Sequence, residues 1–143
     1  MNILLTNDDG IDSIGLKKLE KILSEYGNVY VVAPKTQQSG KACSISAFFG
    51  VCVNKIDNNH LAVEGTPVDC VEVACAMINK KIDLVVSGCN SVVYSNVSLL
   101  NSGEIVASSI YILDKLLSPD NTITTLFLTV TVIDLLWLKT LPL

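Results

Sequence analysis

Ile3-Leu4-Leu5-Thr6-Asn7-Asp8-Asp9-Gly10 is the stretch on which the fold turns. An apolar run of strand length ends in two adjacent carboxylates and a glycine. It reads as a buried strand at about 2–6, a tight turn at 7–10 and a helix beyond. In an open α/β sheet ligands bind just outside the carboxyl ends of the strands, where Asp8 and Asp9 would fall. Two neighbouring ionised carboxylates repel. A hard divalent cation removes that conflict, and Mg²⁺ sites often combine one or two carboxylates with substrate phosphate. Asn, Asp and Gly are also ordinary turn formers, so the pair alone does not decide between a metal site and a plain turn.

The flanking sequence extends the pattern. Leu16, Leu19, Ile22, Leu23 and Tyr26 recur at helical spacing, with Lys17, Lys18, Glu20 and Lys21 opposite, and Gly27-Asn28 as the stop. Val29 to Ala33 is a second strand, ended by Pro34. This strand–helix–strand unit predicts parallel pairing in a doubly wound sheet. The polar loop 34–41 then leaves the second strand on the same rim as Asp8 and Asp9. In it Ser39 offers a hydroxyl and Gly40 a backbone that a ligand can approach closely.

Residues 44–48 and 51–56 read as extended, Asp57-Asn58-Asn59 as a turn and 60–64 as a returning strand, an antiparallel excursion from the parallel sheet. His60 is the single histidine. Beside a turn, it is expected to be exposed and structural. Gly65-Thr66-Pro67-Val68-Asp69 opens a helix, with Thr66 as N-cap, Pro67 first and Asp69 third, able to bond back to the cap. Val68, Val71, Ala74, Cys75 and Ile78 form its expected buried face.

Ile82 to Ser87 is another buried strand. Gly88-Cys89-Asn90 follows at its carboxyl end, where the Asn90 amide oxygen could ligate a hard cation. After a long connection at 91–101, Ser102-Gly103 opens a helix to about 116, a place for an anion. Residues 124–132 read as a β-rich strand and 133–143 as a short apolar tail. Asp8, Asp9, Ser39 and Asn90, with Ser102-Gly103, thus converge on one rim. Carboxylates, a hydroxyl, an amide oxygen and backbone donors suit a cation bridging to a phosphate. The first four should surround one cavity able to hold it.

Composition limits the alternatives. The 143 residues suffice for one core, and 50% hydrophobic against 17% charged residues excludes a disordered chain. A net charge of −4 without a long basic run argues against a nucleic acid polymer as partner. Five cysteines, an odd number with no Cys-x-x-Cys, predict reduced, buried thiols and a cytoplasmic setting. No secretory signal is evident. Residues 122–138 are apolar but Thr-rich and include Asp134, too weak for a membrane span. Neither a Gly-x-Gly-x-x-Gly nor a P-loop is present.

Taken in order, these motifs resemble the SurE family of survival-protein nucleotidases. The resembling residues are Ile3 to Ile11, then Val31-Val32-Ala33-Pro34 with Ser39-Gly40, then Gly65 to Val71. Asp83 to Gly88 with Asn90 and finally Ser102-Gly103 complete the set. The resemblance covers residues 1 to about 112. It implies a Rossmann-like α/β fold, a mostly parallel sheet flanked by helices with a β-hairpin excursion. Residues 1–118 would be the nucleotidase domain and 119–143 a divergent strand and tail of the same domain. It implies a 5′-nucleotidase, a metal-dependent phosphatase acting on nucleoside 5′-monophosphates. Mg²⁺ or Mn²⁺ would be held by Asp8, Asp9, Ser39 and Asn90, with Asn7, Gly40, Ser102 and Gly103 at the substrate. It also leaves room for a homodimer. Asp8 and Asp9 would be the catalytic pair, with water attacking phosphorus and one carboxylate as general base. A phospho-aspartyl route stays open.

The chain departs from the family in places. Val92, Tyr94, Asn96 and Ser98 stand where the family carries glycines, a second Asn and an Asp. Asn101 and Glu104 replace its usual Tyr and Thr, Cys43 replaces a polar residue, and the end of the chain is shortened or divergent. Glu104 would repel an incoming phosphate. Two readings follow: an active nucleotidase, or an impaired relative that keeps metal or nucleotide binding. The ordered motifs speak against an unrelated Rossmann-like binding module.

Overall fold

The structure is a computed structural model. It describes residues 1–41, 44–46, 50–90 and 126–131, with Cys89, Asn90 and the last six by backbone only. The strands are β1 (Asn2–Thr6), β2 (Asn28–Pro34), β3 (Val53–Lys55), β4 (His60–Val63), β5 (Leu84–Asn90) and β6 (Leu126–Thr131). The helices are α1 (Ile14–Leu23) and α2 (Pro67–Met77).

The six strands form one sheet in the order β3-β4-β2-β1-β5-β6. Only β3 is antiparallel, paired with β4 as a hairpin at the sheet edge. Counted in chain order, the five parallel strands lie 3-2-1-4-5. That is the doubly wound, Rossmann-like order, and its direction reverses between β1 and β5. Thr6 and Ser87 face each other across this switch point.

Alternation along each strand divides the core into two layers. Ile3, Leu5, Val31, Ala33 and Val86 pack under Leu16, Leu19 and Leu23 of α1. Leu4, Val32, Leu61, Val63 and Val85 pack against Cys70, Val71 and Ala74 of α2. The strands are buried on both faces, so β1 and β2 read as continuous apolar runs rather than alternating ones.

Several sequence expectations change. α1 stops at Leu23 with Ser24 as C-cap, before the Gly27-Asn28 stop. Tyr26, expected on the buried face, has left the helix and is 43% exposed. Ser44 to Ser46 form no strand, and the extended segment 51–56 narrows to β3. α2 buries Cys70 and Val73 as well as Val68, Val71 and Ala74, whereas Cys75 and Ile78 are only half-buried. Cys52, Cys70 and Cys75 are free thiols, but Cys52 is exposed rather than buried. Burial, with the Asp69 carboxylate beside it, pushes the Cys70 thiol well above its ordinary value, so it stays protonated and inert.

His60 is half-buried, not exposed. One ring nitrogen bonds Asp57 Oδ1 and the other Glu20 Oε1, both at 2.8 Å, tying the hairpin turn to α1. The expected connection 91–101, the helix from Ser102-Gly103, Glu104, Cys43 and the tail 133–143 lie outside the described residues. Among the described residues no helix is long and apolar enough to cross a membrane.

Candidate phosphate and metal site

Asp8 and Asp9 leave β1 at its carboxyl end, beside the switch point. Asn7 builds the turn that places them. Its Oδ1 accepts from Gly10 N at 3.2 Å, and its Nδ2 donates to Gly10 O at 3.2 Å and to Ser13 Oγ at 2.8 Å. Ser13 is the N-cap of α1, its Oγ accepting from Leu16 N at 3.3 Å. One buried amide therefore joins the strand end, the turn and the helix start. Asn7 is 0% exposed, and three hydrogen bonds engage its side chain in the turn.

Gly10 has φ +102°, open to glycine at little cost. A Cβ there would meet the backbone of Pro34, Thr36 and Gln37 at 3.4–3.5 Å. The β1 turn and the loop after β2 are thus in direct contact. Ile11 N donates to Pro34 O and Gln38 N to Asp8 O, at 2.8 and 2.7 Å. Ser39 is the next residue along, exposed, its Oγ accepting from Gln37 Nε2 at 3.2 Å. Gly40 follows with φ +80° and open space where a Cβ would be.

Asn90 is the last residue of β5, and the β5–β6 register shifts between Gly88 and Asn90. Gly88 has φ 142° at this irregularity. Such bulges re-aim side chains and recur beside active sites. The structure therefore brings Asp8, Asp9, Ser39 and Asn90 to the carboxyl ends of three neighbouring strands, β2, β1 and β5. Ser102 and Gly103 lie outside the described residues.

The donor set suits a hard cation. Asp8 is 6% exposed and Asp9 half-buried. Among the described residues no three His, Cys, Asp or Glu side chains converge as a metal cage. Two carboxylates would need neutral oxygens to complete a shell, and a hydroxyl, an amide, water and phosphate are what Mg²⁺ accepts. At the switch point Thr6 Oγ1 and Ser87 Oγ are buried with no hydrogen-bond partner among the described residues. Ordered water or an ion is a common explanation for such groups.

A cleft of about 530 Å³ opens beside this site, lined by Lys35, Thr36, Gln38, Lys41, Ser46, Glu64, Gly65 and Thr66. Gln38 is common to the cleft and to the Asp8 turn. Lys35 Nζ and Glu64 Oε1 pair at 2.7 Å, and their mutual hydrogen bond and charge raise the lysine pKa and lower that of the glutamate. The far wall is the start of α2. There Asp69 Oδ2 accepts from Thr66 N at 2.7 Å and Thr66 Oγ1 at 3.0 Å, while Asp69 N donates to Thr66 Oγ1 at 3.2 Å. Ser46 N and Ser46 Oγ also donate to Asp69, at 2.8 and 2.9 Å. Burial alone would raise the Asp69 pKa, but these bonds outweigh it and hold the carboxyl below the usual aspartate value.

Of the cleft residues, the charged pair Lys35 and Glu64 was not singled out from sequence. Lys35 and Glu64 each directly follow a parallel strand, and that position was the available signal. A second depression, of about 310 Å³, lies at the opposite end of the sheet among Tyr30, Leu61, Asn59 and Met77. It takes no part in the carboxylate rim.

The model of the family "Survival protein SurE" matches residues 3–113. A protein of Leptospira biflexa named 5′-nucleotidase SurE is 41% identical over 109 residues, 76% of this chain and 44% of that protein. One of Clostridium botulinum with the same name is 39% identical over 113 residues, 76% of this chain and 45% of that protein. The crystal structure of the SurE protein from Aquifex aeolicus superposes with a TM-score of 0.71 at 36% identity, covering 76% of this chain and 45% of that one. The chain thus spans less than half the length of these relatives. The matched span holds the Asp8 turn, the Ser39 loop and the capped start of α2, and on the family match over residues 3–113 the chain belongs to the survival protein SurE family.

Proposed function

We propose that the chain is a metal-dependent phosphatase that hydrolyses nucleoside 5′-monophosphates to nucleoside and phosphate. The observation that supports this most is the placement of Asp8, Asp9, Ser39 and Asn90 on three adjacent strand ends at the topological switch point. Curated relatives named 5′-nucleotidase support the same reading. Asp8, Asp9, the Ser39 hydroxyl and the Asn90 amide would hold Mg²⁺ or Mn²⁺. That cation would neutralise charge on the phosphate oxygens.

The chain's own groups supply the rest. Asn7 fixes the turn and so the spacing of the two carboxylates. Asp9, more open than Asp8, would take the proton of an attacking water. Gly40 would let the phosphate approach the backbone, and Ser102-Gly103 would supply further donors to it. The odd cysteine count without a Cys-x-x-Cys motif supports a reducing, cytoplasmic setting.

Phosphate release from a panel of nucleoside monophosphates, with Mn²⁺, with Mg²⁺ and with a chelator, tests the proposal. Chelator-sensitive release is expected, and its absence with both metals refutes the hydrolase. The departures at Val92, Tyr94 and Glu104 favour a second reading, a protein that binds metal or nucleotide without turnover. Calorimetric Mn²⁺ binding in the absence of release would select it.

A further inference from the structure

The cleft beside Asp8 has a chemical character of its own. Among the described residues no aromatic or aliphatic side chain lines it, so none of them offers a nucleobase a face to stack on. It is a poor channel for further phosphates as well. Of its two lysines, Lys35 is already matched by Glu64, whose carboxylate would repel a phosphate chain, which leaves the single charge of Lys41 at the rim. What remains is a set of hydrogen-bonding groups around one carboxylate. Both hydrogen bonds that Glu64 accepts, from Lys35 Nζ at 2.7 Å and Asn54 Nδ2 at 3.4 Å, end on Oε1. Oε2 accepts none among the described residues.

A carboxylate at the end of a parallel strand is the group with which dinucleotide-binding sheets hold ribose hydroxyls. Glu64 directly follows β4, next to β2, and the cleft reaches the Asp8 turn through Gln38. We propose that this cleft is the sugar subsite, and that Glu64, steadied by Lys35, accepts the ribose hydroxyls and selects ribonucleotides over 2′-deoxyribonucleotides. The inference rests on the phosphate site at Asp8 proposed above. Glu64 is a specificity residue and takes no part in the bond-breaking step.

The experiment compares kcat/KM for AMP and 2′-deoxy-AMP with Mn²⁺, in the wild type and in Glu64→Ala and Glu64→Gln. Phenyl phosphate serves as a sugar-free substrate of the wild type. Hydrogen bonds to charged groups span about 10- to 150-fold, and the exposure of Glu64 puts the expected ribose preference at the lower end, about tenfold. It should fall to about twofold or less in Glu64→Ala and recover in part in Glu64→Gln, which keeps an acceptor.

Equal rates on the two nucleotides, or a preference that survives in Glu64→Ala, overturn the sugar subsite; hydrolysis of phenyl phosphate then leaves the phosphatase standing. Failure to release phosphate from any of the three refutes the phosphatase instead. The subsite is then read by NMR titration with ribose 5-phosphate and 2-deoxyribose 5-phosphate. Tighter binding of the ribose compound, shifting the amides of Lys35 and Glu64 and lost in Glu64→Ala, supports it. Equal binding overturns it.

Discussion

Replacing Asp69 by Asn tests whether the wall of the cleft is held as the geometry indicates. The side chain is 2% exposed, and its two oxygens accept four hydrogen bonds from Thr66 and Ser46. An asparagine can keep its one oxygen where Oδ2 stands, retaining three of these as neutral bonds. Its amide nitrogen then sits where Oδ1 stood, donor against the N–H of Ser46. Losing charge assistance costs roughly 1 kcal/mol per retained bond, and the opposed donors about 1–3 kcal/mol more. Relief from burying a charge offsets part of that. The net expectation is a loss of about 3 kcal/mol.

Urea unfolding reads this directly. With an m-value of about 1–3 kcal/mol/M, the midpoint should fall by about 1–3 M with m unchanged. A cycle with Ser46→Ala should give a coupling of at least about 0.5 kcal/mol. Acid should mimic the substitution. Because the folded-state pKa lies below the usual value, the stabilisation is complete above pH 3.8 and is lost as the pH falls through the folded value. An Asn variant within about 0.5 kcal/mol of the wild type, the range of an ordinary surface change, would refute the assignment of these bonds to the stability of the α2 start.

Other expectations follow from the same geometry. Asp8→Asn should weaken Mn²⁺ binding in a calorimetric titration and abolish phosphate release, while the metal-free melting temperature holds or rises because one of two crowded charges is gone; unchanged Mn²⁺ affinity would remove Asp8 from the site. Gly65→Ala should destabilise by about 1–3 kcal/mol, since its Cβ would stand 2.6 Å from Asp69 Oδ2; a melt equal to wild type would show that the capping box yields freely. At His60 burial opposes the charged form, but the bonds and charges of Asp57 and Glu20 outweigh it and raise the pKa. Its contribution to stability is therefore complete below pH 6.5 and is lost as the pH rises through the folded value. Urea midpoints at pH 6 and pH 8 should differ more in the wild type than in His60→Gln, and an equal difference would take His60 out of the pH response.

The Asp8 turn and the start of α2 were legible in the sequence because their determinants are local. Ile3 to Thr6 are apolar at strand length, and Asn7, Gly10 and Ser13 lie within one turn of chain. Thr66, Pro67 and Asp69 form a complete capping box within four residues. Ordered along the chain, such segments were enough to indicate the family and to place Asp8, Asp9, Ser39 and Asn90 at strand ends. Tyr26 was misplaced because periodicity continues past the point where backbone geometry ends the helix.

Tertiary structure decided what depends on partners distant in sequence. The strand order puts β5 beside β1, and so the strand end that carries Asn90 next to the one that leads into Asp8, although the two residues lie 82 positions apart in the chain. Ser46 looked like part of a strand and is instead a donor to Asp69, 23 residues on. Lys35 and Glu64 are unremarkable charges in sequence. They become a pair lining a cleft only once β2 and β4 lie parallel and adjacent. At short range, burial and three hydrogen bonds engage the Asn7 side chain in the turn. Hydrophobic period and capping chemistry act within a few residues, whereas which strand ends meet is set by how the two apolar layers close on one sheet.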